Sequence, residues 1–408
     1  MSSGVELISF SDLVDLNPRG AAPKGVVPYV GMGDVANDGR LVRIGERLAE
    51  EVAAGQSCFE DNDVLFAKIT PCMENGKGAY VSGLNGRMAF GSTEFHVLRA
   101  RPGVSSRFVY QLTRSPDFRR TAEAMMTGSA GQRRVPSSFF WRYRIQRRTL
   151  LEQQRISEAL DSVDQAIESE RSSAHKMDAI CDAVLSAELD ALYATCDLVP
   201  LREVALVARG RFSARPRNDP AYYGGEHRFI QTGDVVAAKG GVLFEASQHL
   251  NDAGLSVSRK FPAGTIAVTI AANIGDTAIL GRSMCFPDSV VGVVARNGYE
   301  SRFLEQCLRR AKPSLEARAP QSAQRNINLQ DLRPLEIPNV SVGIQKRFVD
   351  LWDAHYELRE CRYRQIRKLR QVKQAIASDF LQGVHQLTES TCMNVWSENT
   401  PSLPTVGL

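Results

Sequence analysis

The stretch that decides the fold spans residues 150–190 and reads LLEQQRISEALDSVDQAIESERSSAHKMDAICDAVLSAELD. It contains no proline and no glycine, and it is rich in residues with high helix propensity. Apolar residues recur at alternating steps of four and three, at Ile156, Leu160, Val163 and Ile167. This spacing is typical of a coiled-coil seam and predicts one long amphipathic helix. About 42 residues of helix would extend roughly 63 Å, which suits a spacer or scaffold better than part of a compact core.

A second stretch with the same character spans residues 343–382. It also lacks proline, and Phe348, Trp352, Ile366 and Leu369 fall in the corresponding frame. A second long helix with its own apolar seam is therefore predicted.

The two predicted helices carry opposite charge. Residues 152–190 hold ten acidic and three basic side chains, whereas residues 346–382 hold nine basic and five acidic ones. Opposite charge together with two apolar seams favours antiparallel pairing of the helices with each other. The alternative is that each helix covers its own neighbouring region and its charges only face water.

An internal repeat organises the chain. Matched landmarks keep the same order in both halves while the shift between them drifts, as expected for a duplication with loops of different length. The matches include Gly33-Asp34-Val35 with Gly233-Asp234-Val235 at a shift of 200, Ser106-Arg107-Phe108 with Ser301-Arg302-Phe303 at 195, and Gln132-Arg133 with Gln324-Arg325 at 192.

Each half begins with a region of short strands. Residues 1–147 and 197–337 carry short apolar or alternating runs separated by glycine and proline, with short helices predicted near 105–122 and 301–317. The predicted fold class is α+β: two similar β-rich regions separated by two long antiparallel helices that form a coiled-coil-like spacer, with a pseudo-two-fold repeat. The predicted boundaries are 1–149 and 193–340 for the β-rich domains, 150–192 and 341–384 for the helices, and 385–408 for a flexible tail.

Composition excludes several classes of function. The 408 residues are 43% hydrophobic and 24% charged, with a formal net charge of +4, which is ordinary for a globular protein. The eight cysteines form no CxxC pair, and we expect them to be reduced thiols. No apolar run reaches the length of a membrane span, and the N-terminus lacks the features of a signal peptide. We therefore expect a cytoplasmic location and no membrane partner.

No pattern in the sequence assembles a catalytic site. Phosphate-binding, nucleophile-elbow and zinc-protease motifs are absent, so we expect neither enzymatic activity nor a cofactor or metal in this chain. The run Asp61-Asn62-Asp63 is interpreted as an acidic turn before a strand, and Asp219-Pro220-Ala221-Tyr222 as another turn. His96 is as compatible with a hydrogen-bonded strand residue as with a base.

Basic residues concentrate in the first half. Residues 99–148 hold twelve arginines and only two acidic side chains, and they include the loop TGSAGQRR at 127–134. Small residues let such a loop approach DNA closely, while Gln and Arg offer donors to phosphates and base edges. The alternative is that the arginines pair with the acidic helix or face water. That alternative accounts poorly for the recurrence of Gln-Arg at the same place in both halves.

A second loop follows the strand VLFAKI and runs from Thr70 to Gly78. It presents polar donors on a frame shaped by glycine and proline, although an ordinary hairpin is an equally good interpretation. Its counterpart begins at Thr269. The candidate DNA-binding residues are Lys68, Thr70, Asn75, Lys77, Ser129, Gln132, Arg133, Arg134, Thr232, Thr269, Asn273, Gln321, Ser322, Gln324, Arg325 and Asn326.

These landmarks resemble one known family along essentially the whole chain. It is similar to the specificity subunits of type I restriction-modification systems. The resemblance lies in Gly33-Asp34-Val35, DVLFAKITPCMENGKGA at 63–79, GSTEFHVLRA at 91–100, TGSAGQRRVP at 127–136, LLEQQRISEALDSVDQAI at 150–167, IPNVSVGIQKRF at 337–348 and KLRQVKQAIASDFLQG at 368–383. Two helix starts depart from the family pattern, at Arg148-Thr149-Leu150 and at Gly343-Ile344-Gln345.

The resemblance implies a non-catalytic subunit that binds double-stranded DNA and reads a bipartite site. Each β-rich region would read one part, and the paired helices would fix the distance between the parts. Methyltransferase subunits would bind along the two helices, and a motor-nuclease subunit would join them for cleavage. Two alternatives stay open: a DNA-binding protein that never meets a nuclease, and a structural coiled-coil adaptor.

Overall fold

The structure is a computed structural model, and it describes residues 6–22, 24–52, 55–129, 131–318 and 326–381. The described part of the chain forms two compact units. Unit 1 comprises the described residues within Met1–Ser172 and Tyr363–Leu408, and unit 2 comprises those within Ser173–Arg362. The predicted tail at 385–408 lies outside the described residues.

Unit 1 is built on short strands. They are β1 (Leu7–Ser9), β2 (Val14–Leu16), β3 (Val26–Val30), β4 (Gly45–Leu48), β5 (Ser57–Phe59), β6 (Val64–Ala67), β7 (Gly78–Tyr80), β8 (Ala89–Gly91), β9 (Phe95–Ala100) and β10 (Arg144–Gln146). One antiparallel sheet has the order β2-β9-β6-β7. A second has the order β4-β3-β8-β5, in which β3 and β8 are parallel, and β1 pairs with β10.

Unit 2 repeats this topology. Its strands are β11 (Leu198–Pro200), β12 (Ala205–Arg209), β13 (Tyr223–Phe229), β14 (Val242–Leu243), β15 (Gln248–Leu250), β16 (Lys260–Phe261), β17 (Ile266–Thr269), β18 (Thr277–Leu280), β19 (Met284–Cys285), β20 (Val290–Ala295) and β21 (Glu336–Pro338). The sheets have the orders β12-β20-β17-β18-β14 and β15-β13-β19-β16, and β11 pairs with β21. Strand β14, parallel to β18, is added at one edge. The repeat inferred from sequence is therefore a repeat of strand order.

The structure contains the predicted helices, one of them split in two, together with several short helices that were not predicted. They are α1 (Ser106–Arg114), α2 (Pro116–Ala124), α3 (Ser138–Arg142), α4 (Leu150–Thr195), α5 (Leu201–Val204), α6 (Thr232–Ala238), α7 (Asp252–Ser256), α8 (Ser301–Arg318), α9 (Leu329–Leu332) and α10 (Val342–Leu381). The single helix expected near 105–122 is split at Ser115, which is extended and caps α2 through its hydroxyl group. Pro116 explains the break, because proline disfavours helical backbone in the residue before it.

Each unit has a core that includes part of the long helices. In unit 1, Phe66, Phe118 and Phe140 are fully buried and lie in one cluster with Leu160 of α4 and Phe380 of α10. In unit 2, the cluster joins Val268 and Phe303 to Leu189 of α4 and Phe348 of α10. The apolar seams are therefore part of the cores that hold the sheets.

The long helices contact each other within each unit. In unit 1, Lys373 Nζ lies 2.6 Å from Asp164 Oδ2, and Arg148 donates to the carbonyl of Phe380. In unit 2, His355 Nε2 lies 3.5 Å from Asp178 Oδ1. Residue numbers rise along one helix as they fall along the other, so the predicted antiparallel pairing is confirmed.

Candidate nucleic-acid interface

In unit 1 the main chain joins the two candidate loops. The amide of Val135 donates to the carbonyl of Lys68 over 2.9 Å, and the amide of Thr70 donates to the carbonyl of Arg133 over 3.0 Å. We call residues 68–77 the strand loop and residues 127–134 the hairpin. Two segments that are far apart in sequence thus form one surface.

The hairpin is closed by paired main-chain hydrogen bonds between Thr127 and Arg134, of 3.0 and 2.8 Å. Gly128 and Gly131 have φ of +123° and +81°, which L side chains rarely adopt. A Cβ atom at Gly128 would also lie 2.9 Å from the carbonyl oxygen of Gln132. Ser129 and Gln132 are exposed in this hairpin, so their side chains are accessible to a ligand.

Arg134 is held by a carboxylate. Its Nε and Nη2 atoms lie 3.0 and 2.9 Å from the two carboxylate oxygens of Glu94, and its Nη1 atom donates to the carbonyl of Gln132 over 3.0 Å. The hydrogen bonds that Arg134 donates to Glu94 raise the pKa of this arginine above its already high usual value. The guanidinium is therefore charged and fixed in orientation, with 41% of the side chain exposed.

Arg133 is held more loosely. One nitrogen of Arg133 lies 3.4 Å from Oε1 of Glu74, and the same oxygen accepts a 2.6 Å hydrogen bond from the hydroxyl group of Thr70. The other oxygen of Glu74 is buried and has no hydrogen-bond partner among the described residues. A single contact of 3.4 Å constrains Arg133 less than the two-nitrogen contact with Glu94 constrains Arg134.

His96 supports the hairpin from beneath. Its ring is 3% exposed, and its Nε2 atom lies 2.8 Å from the carbonyl of Val135, at the end of the hairpin. Burial lowers the pKa of His96 to about 4, so the ring is neutral at neutral pH and Nε2–H can donate to that carbonyl. Of the two roles that the sequence leaves open for His96, the structure shows a hydrogen-bonded strand residue.

The remaining predicted residues of the strand loop differ in accessibility. Asn75 is exposed. Lys77 is half-buried, and its ammonium group donates to the carbonyl of Met32 over 2.7 Å, so this lysine fixes local structure. Lys68 is half-buried and lies with Asn17 and Thr93 in the lining of a cavity of about 490 Å³.

We call the hydrogen-bonded contact between the strand loop and the hairpin the junction of unit 1. Unit 2 has an equivalent junction. The amide of Ile327 donates to the carbonyl of Ile270 over 3.0 Å, and Ala271 forms a β-bridge with Asn326. Asn273 and Asn326 are exposed, whereas Thr269 is fully buried and its hydroxyl group contacts the carbonyls of Asn273 and Asp276. Thr269 therefore shapes the loop from within. The predicted residues Gln321, Ser322, Gln324 and Arg325 lie outside the described residues.

Thr232 lies apart from this junction. It begins α6 and is half-buried, next to Gln231, whose side-chain amide donates to that of Gln248. In the part of the chain that the structure describes, no hydrogen bond joins Thr232 to the 269–276 loop. Its prediction as a DNA-binding residue had no local motif behind it, and the structure adds none.

Most of the arginine excess in residues 99–148 is used within the protein. Nine of the twelve arginines have an ion pair or a side-chain hydrogen bond to a named partner: Arg99, Arg101, Arg107, Arg114, Arg119, Arg133, Arg134, Arg147 and Arg148. Two of them pair with acidic residues of α4, Arg107 with Asp161 over 2.6 Å and Arg148 with Glu152 over 3.7 Å. The net charge of this segment therefore overstates the field available to DNA.

Two acidic residues were missed by the sequence interpretation. Glu94 and Glu74 hold the hairpin arginines from 40 and 59 residues away in the chain. Nothing local in the sequence marks such contacts, because they depend on which strands are neighbours. The antiparallel pairing of β6 with β9, once inferred, would place Glu94 beside Lys68.

The described residues contain no cluster of three or more metal-ligating side chains and no helix that could span a membrane. The acidic turn at 61–63 is confirmed as structural. Asp61 accepts hydrogen bonds from the amides of Leu84 and Gly86, and Asp63 pairs with Arg99 over 2.7 Å. Asp219 likewise caps the short turn at Pro220–Tyr222.

Comparison with known proteins shows what the chain is similar to. Residues 198–369 match the family model described as type I restriction modification DNA specificity domain. The specificity subunit of the type I restriction enzyme EcoEI of Escherichia coli is 37% identical over 167 residues, 38% of this chain. That match spans only 27% of the relative's own length.

Solved structures show that the fold is shared over nearly the whole chain. A structure from work on complex assembly and conformational transition of the type I R-M system aligns with a TM-score of 0.66 and 18% identity, covering 93% of this chain and 98% of that one. The HsdS subunit from Thermoanaerobacter tengcongensis aligns with a TM-score of 0.50 and 19% identity, covering 94% and 98%. The solved structures show a shared fold, and the sequence matches show similarity to type I DNA specificity subunits over part of the chain. The predicted α+β fold is confirmed, and the matching curated relatives belong to the family that the sequence resembles.

Proposed function

We propose that this chain is the sequence-specific, double-stranded DNA-binding subunit of a type I restriction-modification complex. Each unit reads one part of a bipartite site, and the chain directs adenine methylation and restriction by partner subunits. Methyltransferase subunits bind along α4 and α10, and a motor-nuclease subunit joins for cleavage. The complex acts in the cytoplasm, and this chain supplies recognition without catalysis.

The main support for the proposal is that both units contain the same kind of junction. In each unit the loop after the central strand, β6 or β17, is joined by equivalent main-chain hydrogen bonds to the segment that ends at Val135 or Ile327. Side chains exposed at the described parts of these junctions include Asn75, Gln132, Asn273 and Asn326. Amide and guanidinium groups on a rigid frame are the groups that discriminate base edges. Two such junctions in one chain suit a site in two parts.

The helices support the remainder of the proposal. Within unit 1 the two helices pack through apolar contacts and through the Asp164–Lys373 ion pair. Helices paired in this way are expected to be stiffer than a flexible linker. Two weakly specific readers on such an element gain specificity, because both must fit DNA at one separation.

Selection from randomised duplex DNA tests the function directly. The full chain, with any methyltransferase subunit that copurifies, should enrich two short motifs at a fixed gap, and native genomic DNA should carry N6-methyladenine within the same site. Enrichment without methylation would indicate a stand-alone DNA-binding protein. No enrichment would favour a structural adaptor and overturn the proposal.

The loop assignment has its own test. Replacing Gln132, Arg133, Gln324 and Arg325 together by alanine should weaken binding to the selected duplex by at least about tenfold, because base and phosphate contacts are lost at both junctions. The control is Gln154→Ala with Arg101→Ala, two exposed positions away from the junctions. Unchanged binding by the variant with all four substitutions would show that DNA is read elsewhere.

A further inference from the structure

We propose that Arg134 reads a guanine in the part of the site bound by unit 1, and that Glu94 is the residue that positions it. This inference rests on the proposed function, since it requires that the chain bind duplex DNA. It names a base and a side chain where the proposed function names only a surface.

The free N–H donors of Arg134 are the first reason to assign it to guanine. A guanidinium group has five N–H donors in one plane. The Nε and Nη2 atoms face Glu94, and Nη1 donates to the carbonyl of Gln132. These contacts leave one N–H on Nη1 and one on Nη2, the two nitrogens that form the outer edge of the guanidinium group. That edge matches the O6 and N7 acceptors of guanine in the major groove.

The fixed position of Arg134 carries the second step. Its main chain forms β-bridges with both Ile69 and Thr127, so the residue lies at the centre of the junction and not at the mobile tip of a loop. Because two of its nitrogens donate hydrogen bonds to Glu94, the plane of the guanidinium group is fixed in the absence of DNA. A planar group held in advance loses less side-chain entropy on binding and discriminates bases better than a free one. Arg133, with its single 3.4 Å contact, is less constrained.

The residues found at the equivalent positions of the two units are the third reason for the assignment. The amide of Lys68 donates to the carbonyl of Glu94, and the amide of Ile270 donates to that of Ser289, so Glu94 and Ser289 are equivalent. Arg134 forms a β-bridge with Ile69, the residue after Lys68, and Asn326 forms one with Ala271, the residue after Ile270. Arg134 and Asn326 are therefore equivalent as well. The fold therefore tolerates Arg with Glu in one unit and Asn with Ser in the other. Asn is the side chain that pairs with adenine, so this position varies as a base-reading position would.

The experiment repeats the duplex selection with Arg134→Gln, with Glu94→Gln, and with the double change Glu94→Ser and Arg134→Asn. The wild-type chain should require guanine at one position, preferred by roughly 5- to 150-fold, as is usual for one bidentate contact. Arg134→Gln should abolish that preference while the other positions keep theirs. Glu94→Gln should reduce the preference without removing Arg134, and the double change should move it toward adenine.

Modified bases test the contact at the level of atoms. Replacing the selected guanine by 7-deazaguanine removes the N7 acceptor and should weaken binding of the wild-type chain about tenfold. Inosine keeps O6 and N7 and lacks only the amino group in the minor groove, so it should bind like guanine. Arg134→Gln should no longer distinguish guanine from 7-deazaguanine.

A control ion pair elsewhere in unit 1 shows whether the effects are specific to Arg134 and Glu94. Arg101 and Asp15 form an exposed ion pair of 2.9 Å elsewhere in unit 1, and Arg101→Gln with Asp15→Asn should leave every base preference unchanged. Thermal unfolding of each variant checks that the unit is folded. If Arg134→Gln selects the same bases as wild type at every position, this inference is wrong and the proposed function stands. If the wild-type chain selects no sequence, the proposed function itself falls.

Discussion

Single buried residues fix the surface that we propose binds DNA. His96 belongs to the central sheet of unit 1, yet its Nε2 atom contacts Val135 at the end of the hairpin. The other ring nitrogen lies 3.4 Å from the side-chain amide of Asn17. A neutral imidazole between these two groups connects the sheet to the hairpin, and burial keeps it neutral by lowering its pKa to about 4.

The lowered pKa of His96 predicts a pH dependence of stability. Between pH 6.5 and 4 the unfolded chain binds a proton at this residue that the folded chain does not. The free energy of unfolding should therefore fall as pH falls through that window, by up to about 3 kcal/mol, and the contribution should be fully present above pH 6.5. Chemical denaturation across this range measures it. His96→Gln should flatten the dependence, whereas His175→Gln, at an exposed position, should not. Equal slopes for wild type and His96→Gln would contradict the assignment.

The same residue scale shows where interpretation of the sequence ends. Repeats and long apolar seams are local patterns, so the duplication and the two long helices were predictable, and both are confirmed. The partners of Arg133 and Arg134 were not predictable, because Glu74 and Glu94 come from other loops and meet the arginines only after the strands have paired. The sequence suggested the acidic helix as an alternative partner for these arginines, but the partners are Glu74 and Glu94. Whether they contact DNA stays a prediction.

At the scale of elements, the hairpin depends on two glycines for different reasons. Gly131 has a φ of +81° and open space around it, so alanine there should cost about 1 kcal/mol in backbone strain. Gly128 combines a φ of +123° with a backbone oxygen only 2.9 Å from the position of a Cβ atom. Alanine at Gly128 must therefore distort the hairpin as well as strain it.

A comparison of the two alanine variants tests this distinction. Gly128→Ala should lower the affinity for the selected duplex by about tenfold or more, because the hairpin shifts relative to the strand loop. Gly131→Ala should reduce affinity by less than about threefold, and it serves as the matched control within the same element. Isothermal titration or filter binding measures both. Equal losses in the two variants would mean that the shape of the hairpin does not govern binding.

At the scale of the whole molecule, duplication left the strand order intact while the contacts at each junction diverged. Unit 1 uses Arg134 with Glu94, and unit 2 has Asn326 and Ser289 at the equivalent positions. Each unit also buries its own segment of α4 and of α10 in its core. A change at one junction should therefore leave the fold of the other unit undisturbed. If each junction reads one part of the site, as proposed, one part could change without the other.

The long helices give the last prediction. If α4 and α10 set the separation between the two parts of the site, removing seven residues from each helix should shorten the preferred gap. The deletions would lie between Asp164 and Asp178 in α4 and between His355 and Lys373 in α10, which keeps both contact pairs and the seam. Seven residues of helix correspond to about 10 Å, or roughly three base pairs at about 3.4 Å each. Selection from randomised duplexes should then recover the same two motifs with the gap shortened by about three. A control that replaces exposed residues in the same segments without changing their length should keep the original gap. If the shortened chain still prefers the original gap, the helices do not act as the ruler.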